Sequence, residues 1–370
     1  MFSFDVISEN NHEQVVFCSN TAAGLKAIIA IHNTTLGPAL GGTRMWNYKN
    51  DEEALKDVLR LSRGMTYKAS VSGLNLGGGK AVIIGDSATQ KNEVLFRTFG
   101  KFVEGLAGRY ITAEDVGTSV KDMEYVRMET KYVTGIPLAL GGSGDPSPVT
   151  AFGVYMGMKA CAKHKWGSDS LTGKKIAVQG AGQVAQFLCD HLFKEGAVIY
   201  LTDINDSKIK KVLKSVKAEV VKPDDIYDLD VDIFSPNALG AIINDNTLKR
   251  IKAEIIAGGA NNQLEKEDVH GPQLIQKGIL YAPDYVINAG GLINVSNELE
   301  GYNQEHALKQ AERIYETITK ILEISSLEKI PTYEASNKIA EERLKNMGRI
   351  SNIYTGRSTF SGRLGEIIKR

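Results

Sequence analysis

The stretch Lys174–Asn205, KKIAVQGAGQVAQFLCDHLFKEGAVIYLTDIN, decides how the rest of the chain is read. A short apolar run, Ile176–Val178, enters Gly180-Ala181-Gly182-Gln183-Val184-Ala185; a helical pattern follows, and a second apolar run ends at Asp203. The first glycine permits a tight turn and the second lets backbone approach a pyrophosphate. The small third residue, here Ala185, permits close helix–strand packing. The helix start offers unpaired N–H groups and a positive dipole end to phosphates. Asp203, 21 residues after Gly182, stands where an acid accepts hydrogen bonds from ribose hydroxyls. Strand, turn, helix, strand and terminal acid agree, so the segment reads as a dinucleotide-binding unit of Rossmann type. An acid at this place also repels a 2′-phosphate, and Ile204-Asn205-Asp206 supplies no cation to offset it. NAD is therefore expected rather than NADP.

Working outward, the pattern repeats on both sides. Downstream lie VDIFSP, EIIAGG and two long helical patterns, about 304–327 and 333–347. Upstream, LKAIIAI (Leu25–Ile31), KAVIIG (Lys80–Gly85) and Tyr110–Ala113 read as strands. Helices are expected from Asp51, with Leu55, Val58 and Leu59 on its inner stripe, and around Leu95–Leu106, where Leu95, Phe96, Phe99, Phe102, Val103 and Leu106 share a face. A further helix is expected over Ser119–Lys131. Such alternation implies α/β architecture with largely parallel pairing. Between the halves, GIPLALGGSGDPSP (Gly135–Pro148) holds four glycines and three prolines in 14 residues, which disfavours helix and central strand alike. The expected layout is a first domain over 1–135, a hinge over 136–148, a dinucleotide domain over 149–330, and a tail over 331–370 that returns to the first domain.

Composition narrows the function classes. At 370 residues the chain is too long for one average domain. Its 44 basic and 44 acidic residues cancel, which argues against a dedicated nucleic-acid binder. Cys18, Cys161 and Cys189 are odd in number and far apart, so neither a disulfide framework nor a zinc site is expected. No secretory signal pattern opens the chain and no run approaches 18 apolar residues, so a cytoplasmic protein away from membranes is expected. The six histidines show no paired metal-ligand spacing, so no metal is expected. LGGGKA around Lys80 superficially suggests a phosphate-binding P-loop, but Leu74 occupies the first glycine position and Ala81 replaces the magnesium-binding hydroxyl.

If one domain binds NAD, the other should bind what is oxidised. Glycine- and lysine-rich segments gather there: GPALGGTR (Gly37–Arg44), GMTYKAS (Gly64–Ser70), LNLGGGKAV (Leu74–Val82) and TAEDVGT (Thr112–Thr118). On these residues alone, a lysine after three glycines is more often a solvated loop residue than a base, and Asp115 could simply cap the next helix.

Taken in order, GPALGGTR, MTYKAS, LGGGKAVI, AEDVGT, GAGQVA and NAGGLINV closely resemble the Glu/Leu/Phe/Val amino-acid dehydrogenase family, over nearly the whole chain. The resemblance implies a substrate domain built on a mostly parallel mixed sheet, a Rossmann-type domain, and a cleft flanked by the two. It implies reversible oxidative deamination of an L-amino acid to the 2-oxo acid, ammonium and NADH. Lys80 is then the catalytic base, Asp115 the proton shuttle to the amino group, and Lys68 the ligand of the substrate carboxylate. Gly41, Gly42, Met65 and Thr134 shape that site, and Asn262 joins the GAGQVA loop and Asp203 in binding the cofactor. Leu40 and Val295 stand where glutamate-specific relatives place a lysine and a serine, so a side-chain carboxylate would meet hydrocarbon there. With Ala113 they imply leucine as preferred substrate, then valine and isoleucine, with phenylalanine weak; Leu292 is the residue shared with phenylalanine-preferring relatives. Ser87 and Asn237 depart from the common pattern, where relatives carry proline and cysteine. A homo-oligomer is implied, an octamer or a dimer. The alternative reading is a phenylalanine or valine dehydrogenase of the same family, and after it a non-enzymatic NAD sensor on the same fold, since fold alone does not fix function.

Overall fold

The computed structural model describes residues 4–9 and 11–350. Contacts divide the chain into two compact units. Of the described residues, the first takes those up to 145 with 295–303 and 340–350; the second takes 146–294 and 304–339. The division falls after Asp145, inside the proline- and glycine-rich stretch.

The first unit opens with a short helix α1 (Phe4–Ser8) and strands β1 (Gln14–Asn20), β2 (Leu25–Asn33) and β3 (Ala39–Trp46). Helix α2 (Asp51–Val71), strand β4 (Gly77–Ile84), helix α3 (Glu93–Glu104), strand β5 (Tyr110–Glu114) and helix α4 (Val120–Arg127) follow. The sheet order is β1-β2-β4-β3-β5. β1 and β2 pair antiparallel, as do β2 and β4, while β4, β3 and β5 run parallel. Two-residue periodicity sends alternate residues of β2 to opposite faces. Ala27, Ile29 and Ile31 join Phe96, Phe99 and Val103 of α3 and Met123 and Val126 of α4 on one face. Ile28 and Ala30 meet Leu55, Val58 and Leu59 of α2 on the other. Each fully buried large side chain here contributes about 1.5–3 kcal/mol.

The second unit begins with α5 (Ser147–Trp166), then β6 (Lys175–Gln179), α6 (Gln183–Glu195) and β7 (Val198–Thr202). Its remaining strands are β8 (Glu219–Val220), β9 (Ile233–Pro236), β10 (Ile255–Ile256) and β11 (Leu280–Tyr281). All pairs are parallel in the order β11-β10-β9-β6-β7-β8. That is the doubly wound order of dinucleotide-binding sheets. The order in which strands are added reverses between β6 and β9, which leaves a crevice at their carboxyl ends.

Several sequence expectations need correction. β1 and β3 were not foreseen as strands, and the glycines before Lys80 are strand rather than loop. Helix α2 continues past Gly64 through the whole of GMTYKAS. Helix α4 stops at Arg127, short of the expected Lys131. The expected helix over 304–327 is two helices, Gln304–Glu312 and Ile314–Glu328. Of the tail expected to return to the first domain, residues 351–370 lie outside the described residues. Its described part ends in helix Thr332–Gly348, where Arg343 reaches the carbonyls of Ser70, Gly73 and Leu74. The three cysteines are buried and free. Among the described residues no helix is long and apolar enough to cross a membrane.

Candidate active site

The carboxyl-terminal half of the first sheet is built for close backbone approach. β3 lies between β4 and β5, with Leu40 opposite Gly78 and Ile111, Gly41 opposite Thr112, and Gly42 opposite Ala113. A side chain at residue 41 would place its Cβ 1.8 Å from the Gly79 carbonyl oxygen, and one at 42 would lie 2.4 Å from that of Glu114. Only glycine fits either position. Tyr110 donates its hydroxyl to the Gly41 carbonyl at 2.6 Å, and Thr134 donates its backbone N–H to the Thr112 carbonyl at 2.8 Å. These contacts hold Leu40, Gly41, Gly42, Ala113 and Thr134 as one rigid platform, with Met65 of α2 beside Gly41.

Lys80 lies within β4 and its side chain is 6% exposed, so it is no solvated loop residue. Its Nζ is 2.9 Å from Oδ2 of Asp115, just beyond β5. Asp115 does not cap the following helix. That place belongs to Ser119, whose backbone N–H donates to Asp122 of the same first turn. Burial pushes the Lys80 ammonium below the ordinary lysine range, and the charge of Asp115 only partly opposes this. Burial would raise the Asp115 carboxyl, yet Lys80 and Arg44 together hold it below the usual carboxylate range. The two directions agree, because one carboxylate serves two cations and Lys80 has less than a whole countercharge. A buried amine with a lowered pKa, beside an ionised carboxylate, can take and return protons at a lower pH than an exposed lysine.

The cluster extends to residues the sequence reading passed over. Arg44 donates Nε to Asp115 Oδ2 and Nη1 to Asp57 Oδ2, each at 3.0 Å. The Tyr48 hydroxyl donates to the same Asp57 oxygen at 2.7 Å, and Arg60 donates to Asp57 Oδ1 at 2.8 Å. One sign was available: an arginine closing an otherwise uncharged strand, GPALGGTR. Lys68 is partly buried in the last turn of α2. Val295 is partly buried at the end of helix Gly290–Ser296, and Leu292, assigned to the second unit, is buried on the same helix.

In the second unit, Gly180 has φ +100°, a conformation that favours glycine, and a Cβ there would lie 2.9 Å from that of Ala238. Gly182 is the N-cap of α6 with no side chain closing the helix end, and the space around it is open. The N–H groups of Gln183, Val184 and Ala185 begin the helix without intrahelical acceptors. Ala185 is fully buried. These residues fit a pyrophosphate. Asp203 follows β7, and its carboxylate accepts the Ala181 N–H at 2.7 Å and the Asn205 N–H at 2.8 Å. Asn262 is left-handed at φ 51°, and its carbonyl accepts the Ala241 N–H at 2.7 Å. Asn237, just past β9, accepts the Gly259 N–H on Oδ1 at 2.9 Å and donates Nδ2 to Ser235, so it braces the crevice.

A doubly wound sheet with a glycine turn and terminal acid, in one chain with a buried lysine–aspartate pair, fits the class of dehydrogenases that use a nicotinamide cofactor. Residues 12–132 match the dimerisation domain of the Glu/Leu/Phe/Val dehydrogenases, and residues 141–208 and 198–348 match the Glutamate/Leucine/Phenylalanine/Valine dehydrogenase family. The chain belongs to this family and is an amino-acid dehydrogenase. It is 58% identical to leucine dehydrogenase of Bacillus subtilis (strain 168), over 97% of this chain and 99% of that protein. It is 49% identical to phenylalanine dehydrogenase of Caldalkalibacillus thermarum, over 95% and 96% respectively. Among solved structures, L-tryptophan dehydrogenase from Nostoc punctiforme matches with a TM-score of 0.84 at 48% identity, covering 94% of this chain and 99% of that one.

Proposed function

We propose that the protein is an NAD-dependent dehydrogenase of branched-chain L-amino acids, with leucine preferred and valine and isoleucine close behind. The observation that carries the chemistry is the buried Lys80 ammonium 2.9 Å from the Asp115 carboxylate. The leucine assignment is supported by relatives of that name at 55–58% identity over nearly the full length.

In this reading Lys68 binds the substrate carboxylate by a charge-assisted hydrogen bond. Asp115 accepts a proton from the substrate ammonium, which frees the nitrogen lone pair. The bound cofactor supplies a hydride acceptor for the α-carbon hydrogen. Lys80, as the neutral amine, takes a proton from the water that adds to the resulting imino carbon. Asp115 then returns its proton to the carbinolamine nitrogen; the C–N bond breaks as the hydroxyl proton passes to the Asp115 carboxylate, and the released ammonia takes that proton up as ammonium. The platform of Leu40, Gly41, Gly42, Ala113 and Thr134, with Met65, fixes the substrate's orientation, and Val295 extends its apolar surroundings. Asp203 selects NAD by repelling a 2′-phosphate, with Asn262 and the loop from Gly180 to Ala185 completing the cofactor's contacts. A homo-oligomer, octamer or dimer, belongs to the same reading.

The test is NADH absorbance with the purified protein, NAD and a panel of amino acids at alkaline pH. Turnover of leucine above the rest of the panel is expected; no turnover of any branched-chain substrate would overturn the reading.

A further inference from the structure

Both cations that reach Asp115 land on the same oxygen. Lys80 Nζ is 2.9 Å and Arg44 Nε 3.0 Å from Oδ2. Among the described residues no hydrogen bond engages Oδ1, and the Asp115 side chain is 24% exposed. A carboxylate held through one oxygen by two donors on different strands cannot turn about its Cβ–Cγ bond without breaking a charge-assisted bond.

Arg44 is itself held. Asp57 Oδ2 accepts from Arg44 Nη1, while Tyr48 and Arg60 fix the Asp57 carboxylate from two further directions. The guanidinium fork thus spans two carboxylates, Asp115 on the sheet and Asp57 on α2, with neighbouring donors set at fixed angles. Lysine, a single point donor, cannot make both bonds along the same lines.

We infer that Arg44, anchored by Asp57, is a positioning residue for the reaction: it locks Oδ2 of Asp115 beside Lys80 and so presents Oδ1 to the amino group of the substrate. The inference rests on the role proposed above for Lys80 and Asp115. The groups that set the charge at this place are Lys80 on β4, Arg44 on β3, Tyr48 after it, and Asp57 and Arg60 on α2. Arg44 favours both the anionic carboxylate and the neutral amine. Its removal therefore raises the pKa of each, and the catalytic combination appears only at higher pH.

The experiment compares Arg44→Gln, Arg44→Lys and Asp57→Asn with the full-length wild-type enzyme, reading kcat, KM for leucine, and the pH profile of kcat/KM. Arg44→Gln should lower kcat about 10–100-fold, within the range of a misplaced proton-transfer group, and leave KM for leucine within about threefold. Its ascending pH limb should move upward by about one pH unit. Arg44→Lys should restore the limb but not kcat, and Asp57→Asn should reproduce the fall in kcat in smaller size without the upward limb, because the Asp57 charge itself holds the Lys80 pKa up. A wild-type kcat and limb in Arg44→Gln, or losses confined to melting temperature, would overturn the inference. Lys80→Ala separates the two claims. If it stays active, the site reading fails; if it is dead while Arg44→Gln is normal, only the role of Arg44 fails.

Discussion

The backbone N–H of Ala181 donates to Oδ2 of Asp203 at 2.7 Å, so the acid that ends β7 braces the glycine turn that ends β6. In the proposed reading the same carboxylate also receives ribose hydroxyls. Removing it should have two separable effects. Asp203→Ser should cut the preference for NAD over NADP about tenfold, equivalent to ~1.4 kcal/mol. Asp203→Asn keeps an acceptor for Ala181 and loses only the charge, so it should relax the preference while weakening NAD binding less. Steady-state kcat/KM with both coenzymes checks this; a wild-type enzyme that used NADP equally well would refute the assignment.

Lys80→Ala should reduce kcat by about 100-fold or more, since it removes the general base of the proposed mechanism. NAD binding, followed by NADH fluorescence, should persist because the glycine loop belongs to the other compact unit. Lys68→Ala should instead chiefly raise KM for the amino acid. Because burial lowers the Lys80 pKa, its reactive neutral form becomes populated below the ordinary lysine range. Deamination should therefore accelerate with rising pH and level off before that range is reached. A limb lying at the ordinary lysine pKa would contradict the burial argument.

How much of this was legible beforehand depended on distance along the chain. The turn from Gly180 to Ala185 and the acid at Asp203 form one local unit, and a local unit carries its geometry in its spacing. β3 was hidden because Gly41 and Gly42 depress strand propensity, and the close approach to Gly79 and Glu114 that demands them is a tertiary fact. β8 and β11 are two residues each, too short to show alternation. Lys80 and Asp115 were named from resemblance alone, and nothing in the sequence distinguished a buried pair from a loop lysine and a helix cap. Arg44 and its two carboxylates stand 13 and 71 residues apart, so their bonds follow from how β3, α2 and the end of β5 pack.

Arg343 ties down the end of α2. Its guanidinium donates to the carbonyls of Ser70 at 3.0 Å, Leu74 at 2.7 Å and Gly73 at 3.2 Å, and to Asn75 Oδ1 at 2.9 Å. The Ser70 carbonyl is one of the last in α2 and Gly73 and Leu74 lie in the turn after it, so this one side chain adds a cap that ties the helix end to that turn. Arg343→Ala should cost about 2–3 kcal/mol in urea unfolding, and Arg343→Lys roughly half as much. Lys68 lies in the last turn that this cap secures. The alanine variant should therefore also raise KM for leucine. An unchanged midpoint would show that the cap contributes nothing.

Glu298 plays a comparable part for the stretch before the second unit. Its carboxylate accepts the N–H groups of Gly135 at 3.0 Å and Ser143 at 2.8 Å, and the Ser143 hydroxyl. Several donors converge on one largely buried group, so truncation strands them all. Glu298→Ala should lower stability by about 2–4 kcal/mol, whereas Glu298→Gln, which keeps an acceptor oxygen, should lose clearly less. Equal losses would mean that charge rather than acceptor geometry holds the loop.

Substrate choice is the prediction with most to lose. Leu40 is 2% exposed, seated between Gly78 and Ile111, and Ala113 stands opposite Gly42 on the neighbouring strand. A glutamate side chain brought to this platform would lose the water around its carboxylate and find hydrocarbon in return, at a cost of several kcal/mol. Glutamate should therefore turn over at least about 1,000-fold more slowly than leucine. Discrimination among apolar substrates is weaker, because one methylene in a pocket wall is worth only about 1–3 kcal/mol. Leucine, valine and isoleucine should fall within roughly two orders of magnitude of one another in kcat/KM on that basis. One position pulls toward phenylalanine in the proposed reading: Leu292, buried on helix Gly290–Ser296. The methyl group of Ala113 opposes it by limiting depth, so Ala113→Gly should raise the phenylalanine-to-leucine ratio of kcat/KM about tenfold. Steady-state rates on wild type and this one variant decide the matter. Phenylalanine exceeding leucine in the wild type would remove Ala113 as the limiting wall, and ready turnover of glutamate would remove the apolar platform from the argument altogether.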